Sequence, residues 1–151
     1  MRSHRPRKLL GALLGLTLGG CSLTQAQVPP RSIPLHQDWA LQPGSEVAGF
    51  QVVGSLGDVS IDLRGKSIKA PFDGEVQPAE HDCIAFSSPE IPAYLFRLCG
   101  VTRPRLGRVT AGTAIGKAEV LQFAALRRQP DGTWAMVEPA VDILERTVGK
   151  Q

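Results

Sequence analysis

The chain has 151 residues, 21% of them charged and 5% aromatic, with a formal net charge of +3. That length has room for one domain plus a short extension. The basic excess comes from Arg2, Arg5, Arg7 and Lys8; from Cys21 onward, thirteen basic side chains face fourteen acidic ones, so charge gives no argument for nucleic acid as a partner.

The first twenty residues read as a leader rather than as part of a fold. "MRSHRPRK" is basic, and "LLGALLGLTLGG" is an apolar run of twelve residues, too short to cross a bilayer comfortably. "LGGC" then places small residues directly before Cys21. This is the tripartite plan of a secretory signal, and "LGGC" resembles a bacterial lipobox. The resemblance implies cleavage before Cys21 and acylation of its thiol, with several acyl chains anchoring stably where one is marginal. The alternative is an ordinary signal cut near Ala26, leaving a soluble secreted protein. The expected organisation is a lipoprotein signal peptide over 1–20, a lipidated tether over 21–43 and a β-domain over 44–151. Ser22 beside the anchor points to the outer membrane, facing the periplasm, if the cell has two membranes. The tether is polar, proline-bearing and aperiodic, with Trp39 a candidate to dock on the domain.

From Gly44 the pattern changes. "EVAGFQVV", "DVSIDL" and "SIKA" are short, rich in β-branched residues and bounded by glycines. "DG" at Asp73-Gly74 signals a turn before "EVQP". "CIAFSS" and "AYLFRLC" predict two strands around a "PEIP" connection. "VTRPRLGR" reads as a basic loop, "VTAGTAIG" alternates around its glycines, and "KAEVLQFAAL" continues as a strand. "RRQPDGTWAMVEP" predicts a hairpin with a "PDG" turn. Only "AVDILERTV" has helical spacing, with Val141, Leu144 and Val148 on one side. Strands recurring every eight to twelve residues predict a compact all-β barrel or sandwich.

In an exported chain, Cys83 and Cys99 form an even pair in an oxidising compartment. If Cys83 sits opposite Cys99, Ile84 meets Leu98 and Phe86 meets Phe96 on one apolar face. Cys83/Cys99, Ala85/Arg97 and Ser87/Leu95 then share the other face. Directly opposed residues lie close enough for a disulfide. The register predicts one between Cys83 and Cys99; two buried thiols are the alternative.

Four stretches in order, "SIKAPFDGEV", "AYLFRL", "VTAGTAIGKAEVLQF" and "WAMVEPAVDIL", resemble the LytM/lysostaphin-type peptidase domain of the M23 class. The likeness runs from about Gly57 to Leu144. It implies a small barrel-sandwich hybrid β-domain with a short C-terminal helical segment. The same first half also occurs in hybrid-motif carrier and adaptor modules, so an adaptor of a periplasmic assembly is an alternative. The family's zinc is held by H-x-x-x-D and the second His of H-x-H, with the first His assisting the attacking water. Carried over, Asp58 and Asp62 occupy the first two ligand positions and Gln122 the third. Val120 replaces the assisting histidine, and another family histidine falls near Phe96. A catalytic zinc needs three good ligands and an open position. The resemblance therefore implies a degenerate site with no catalytic residue and no zinc or other cofactor; an active zinc endopeptidase of the cell wall is the alternative.

Other sites carry little. "EHDC" at 80–83 puts His81 and Asp82 in a surface turn. Arg103, Arg105 and Arg108, with Arg127 and Arg128, form a candidate ligand rim, because arginine grips carboxylates in bidentate fashion; the plainer reading is a solvated edge. The function expected is a non-catalytic, membrane-anchored envelope protein that binds peptidoglycan or regulates a wall hydrolase such as an amidase, and does not bind nucleic acid.

Overall fold

Alternation of apolar and polar residues is sustained longest in two segments, and each becomes a long strand. The elements in chain order are β1 (Glu46–Val47), β2 (Phe50–Gly54), β3 (Val59–Lys69), β4 (Gly74–Pro78), β5 (Ile84–Ser87), β6 (Tyr94–Cys99), β7 (Gly107–Val109), β8 (Ala114–Arg128), β9 (Trp134–Val137) and α1 (Val141–Val148). The computed structural model describes residues 29, 31–33, 38–55 and 57–149. The signal-like segment, Cys21 and most of the expected tether lie outside those residues. The strands pair antiparallel in the order β1-β2-β3-β8-β6-β5-β4-β7, with β9 also on β8. The fold is all-β with one short C-terminal helix. No helix among the described residues is long and apolar enough to cross a membrane.

β3 merges two expected strands, "DVSIDL" and "SIKA". The join is a bulge: Arg64 and Gly65 adopt left-handed backbone (φ 52° and 76°), and pairing jumps from Asp62↔Val120 to Lys66↔Ala118. β8 likewise absorbs "AIG" and "KAEVLQFAAL". Gly116 does not end it, because the glycine marks a close approach: a Cβ there would strike the Val101 side chain. The expected loop "VTRPRLGR" yields β7, which pairs with β4, and its start bridges to β8 through Thr102↔Lys117.

The predicted β5–β6 register is observed: Ile84↔Leu98, Ala85↔Arg97, Phe86↔Phe96 and Ser87↔Leu95. Cys83 and Cys99 are joined by a disulfide with Cα atoms 4.3 Å apart. The β4–β5 turn puts His81 and Asp82 both in left-handed conformation (φ 57° and 56°), the geometry of a two-residue hairpin turn.

The core lies on one face of β3, β8, β6 and β5. Val59, Ile61 and Leu63 meet Leu121, Phe123, Phe96, Leu98 and Phe86 there, all at most 1% exposed. Phe96 stands between Phe86 and Phe123, with ring centroids 6.2 and 5.1 Å away. α1 packs on β3 through Leu144, Thr147 and Val148. Val141 is 45% exposed, which corrects the expected helix face. The first-turn residue overhangs the contact, and Thr147 enters it by donating its hydroxyl to the Ile143 carbonyl at 2.8 Å. The packed chain begins upstream of Gly44. Leu41 is buried, its N–H bonds Glu138 Oε1 at 2.9 Å, and Trp39 packs against the core.

Candidate functional site

Successive side chains of a strand point to opposite faces, so the residues between the core positions share a second face. Registers across the sheet define its rows. Asp62 lies opposite Val120. Ser60 lies opposite Gln122, which lies opposite Cys99, so the disulfide flanks this row. The next row is Ala124, Arg97 and Ala85. The one after runs Met136, Leu126, Leu95, Ser87, Glu75 and Arg108.

Asp62, Gln122 and Val120 therefore occupy one face, and Asp58 joins them. Asp58 immediately precedes β3, and its Oδ1 lies 3.4 Å from the Ser60 hydroxyl, long for an O–H···O bond. Val120 is 40% exposed and is no part of the core, although the same strand's Leu121 and Phe123 are buried completely. Phe96 is different. Its side chain is in the core, 1% exposed, so the face position on β6 belongs to Leu95, Arg97 and Cys99. A resemblance counted along the chain placed a site histidine near Phe96, and the pleat turns that position inward.

The donors on this face do not fit a catalytic zinc. Asp58 and Asp62 offer carboxylate oxygens, Gln122 a neutral amide, and Val120 nothing. Cys99 is in a disulfide, and His81 sits in the β4–β5 turn. Among the described residues, no group of three or more His, Cys, Asp or Glu gathers as a metal site. What the face does present is contact surface: exposed Val120, Met136 and Trp134, with polar groups between them.

Arg97 was not singled out by the sequence, although the register argument already put it on this face. Its Nε is buried and has no hydrogen-bond partner. A buried donor without an acceptor costs about 1–3 kcal/mol, which makes such a group uncommon.

The five arginines of the expected rim do not converge. Arg103 lines a depression with Lys117 and Glu119. Arg127 and Arg128 border another with Gln129 and Pro130. Arg105 and Arg108 share a cleft of about 580 Å³ with Asp73, Glu75 and Ser87. Of these, the Arg105–Arg108 cleft brings both arginines together with two acidic residues, Asp73 and Glu75.

No protein-family model matches this chain, and no curated protein matches it in sequence.

Proposed function

We propose that this is a non-catalytic cell-envelope protein whose exposed sheet face, built on β3 and β8, binds peptidoglycan or a wall-acting hydrolase such as an amidase. The domain is read as a degenerate LytM-like barrel-sandwich hybrid. The leader over residues 1–20 and the lipid anchor at Cys21 belong to the same proposal, with the chain held at the envelope membrane, the outer one where the cell has two. The carrying observation is the pairing of Asp62 with Val120 and of Ser60 with Gln122 on one face. That face supports the reading because it holds strand-borne polar and apolar contact groups together with a donor set unsuited to zinc. A surface of this kind can hold an extended ligand without reacting with it.

The test has three parts. Purified protein is assayed for zinc, for cleavage of wall cross-links, and for cosedimentation with isolated peptidoglycan against capture of an amidase. The expected result is retention by one of the two partners without stoichiometric zinc or hydrolysis. Hydrolysis abolished by a chelator overturns the reading in favour of an endopeptidase. Membrane association that survives Cys21→Ser removes the lipid anchor from it.

A further inference from the structure

The cleft beside β4 and β7 lies at the far edge of the same sheet, and none of its lining residues comes from β3 or β8. Its two cations arrive on one short segment: Arg108 lies within β7, and Arg105 is held just before it by its own N–H, which bonds the Ile115 carbonyl at 2.9 Å. Opposite them stands Glu75, directly across the β4–β7 ladder from Arg108. Facing residues of opposite charge on adjacent strands are near enough to pair. Here they do not: among the described residues no salt bridge joins Glu75 to either arginine. The second acid of the cleft is already engaged, since Asp73 Oδ1 accepts the Ala111 N–H at 2.8 Å. The hydroxyls of Thr110 and Thr113 bond each other at 2.9 Å, which leaves one of the two protons and spare lone pairs for a ligand. The volume, about 580 Å³, is that of an ordinary small-molecule site.

We infer that this cleft binds a zwitterionic ligand, an amino acid or short peptide with free ends, whose carboxylate is gripped by Arg105 and Arg108 and whose ammonium faces Glu75. A purely anionic ligand would meet Glu75 and Asp73 as well as the arginines. A ligand carrying both charges satisfies both sides at once, and guanidinium groups suit the planar carboxylate. The inference goes beyond the envelope-binding reading and does not use the β3–β8 face.

The experiment is a titration of the full chain by heteronuclear NMR with alanyl-alanine, its N-acetyl form and its C-terminal amide. Saturable shifts at Gly74, Thr110, Thr113 and an arginine Nε–H are expected with the free dipeptide. Blocking either end is expected to weaken binding about tenfold, the loss of one charge-assisted contact. Arg108→Gln and, outside any strand, Arg105→Gln should each remove the preference for a free carboxylate, and Glu75→Gln the preference for a free amine. Equal shifts with all three probes, no shifts, or unchanged preferences in folded variants overturn the inference. Cosedimentation of the arginine variants with peptidoglycan separates the two ideas. Retention with the dipeptide preference lost leaves the wall reading standing on the sheet face. A dipeptide preference in a protein that never binds wall or amidase leaves the cleft standing alone.

Discussion

The two faces of β3 and β8 are made by the same residues in alternation, yet they obey different rules. The inner face holds Ile61, Leu121 and Phe123 at 0% exposure, each surrounded by apolar neighbours. The outer face, one residue away at every step, keeps Val120 40% exposed and leaves the Arg97 Nε buried without a partner. Close packing makes the inner face sensitive to the loss of a single methylene. Around Val120 the outer face has little packing to lose, so side chains there are free to serve recognition, whereas Ala124 farther along the same face of β8 is 1% exposed. A strand can carry stability on one side and contact chemistry on the other because its side-chain period is two.

The largest effect should come from crossing that boundary. Phe123→Ala is expected to lower stability by about 3–5 kcal/mol, while Val120→Ala, three residues earlier and outward, should change it by no more than about 0.5 kcal/mol. Denaturant midpoints of the two variants test this, and equal losses would erase the distinction between the faces. Next is the disulfide, which sits at the end of an outer-face row. Replacing Cys83 and Cys99 together by serine should cost about 3 kcal/mol in the chain-entropy account of a loop this short. A midpoint unmoved by reduction would mean that the bridge constrains nothing.

Glycine positions sharpen the comparison at a smaller scale. At Gly74 an added Cβ would land on the Ser87 carbonyl oxygen and come within 2.7 Å of the Phe86 ring. Gly74→Ala should therefore cost about 1–3 kcal/mol through a clash that reaches the inner face. Gly132, in the β8–β9 turn, has nothing within 4 Å of such a Cβ, and only its left-handed backbone (φ 84°) resists substitution. A larger loss at Gly132 than at Gly74 in thermal unfolding would show that backbone strain outweighs packing here.

The smallest effect is local to that same turn. Thr133 donates its hydroxyl and its N–H to Asp131 Oδ1 at 2.6 and 2.9 Å. The side-chain hydrogen bond, followed by the backbone one, holds the Asp131 carboxyl below its usual range. Because the folded-state value is the lower one, this contribution is present above the ordinary carboxylate pKa and fades as pH falls through the folded value. Thr133→Val should raise the Asp131 midpoint toward its ordinary range in a carboxyl-carbon NMR titration. An unchanged midpoint would remove the hydroxyl as its cause.

The residue order alone carried a good deal of this protein. Alternation is a property of the chain itself, so the all-β class, the β5–β6 register and the Cys83–Cys99 bridge were legible: apolar pairs Ile84/Leu98 and Phe86/Phe96 face each other in only one alignment. "EHDC" was legible as a surface turn because a short polar run there interrupts the apolar alternation. Other features depend on which distant segments come together. The bulge at Arg64–Gly65 joins two expected strands because β8 runs past both of them. Phe96 faces inward as its place on the apolar β5–β6 face implied, but its neighbour Ala125 comes from β8, which the chain order does not bring there. The five arginines separate because β7 docks on β4 and carries Arg105 and Arg108 away from the β8–β9 hairpin. Local pattern fixes how a strand alternates, but only the packing of the sheet decides which residues from distant strands share a row or a cleft.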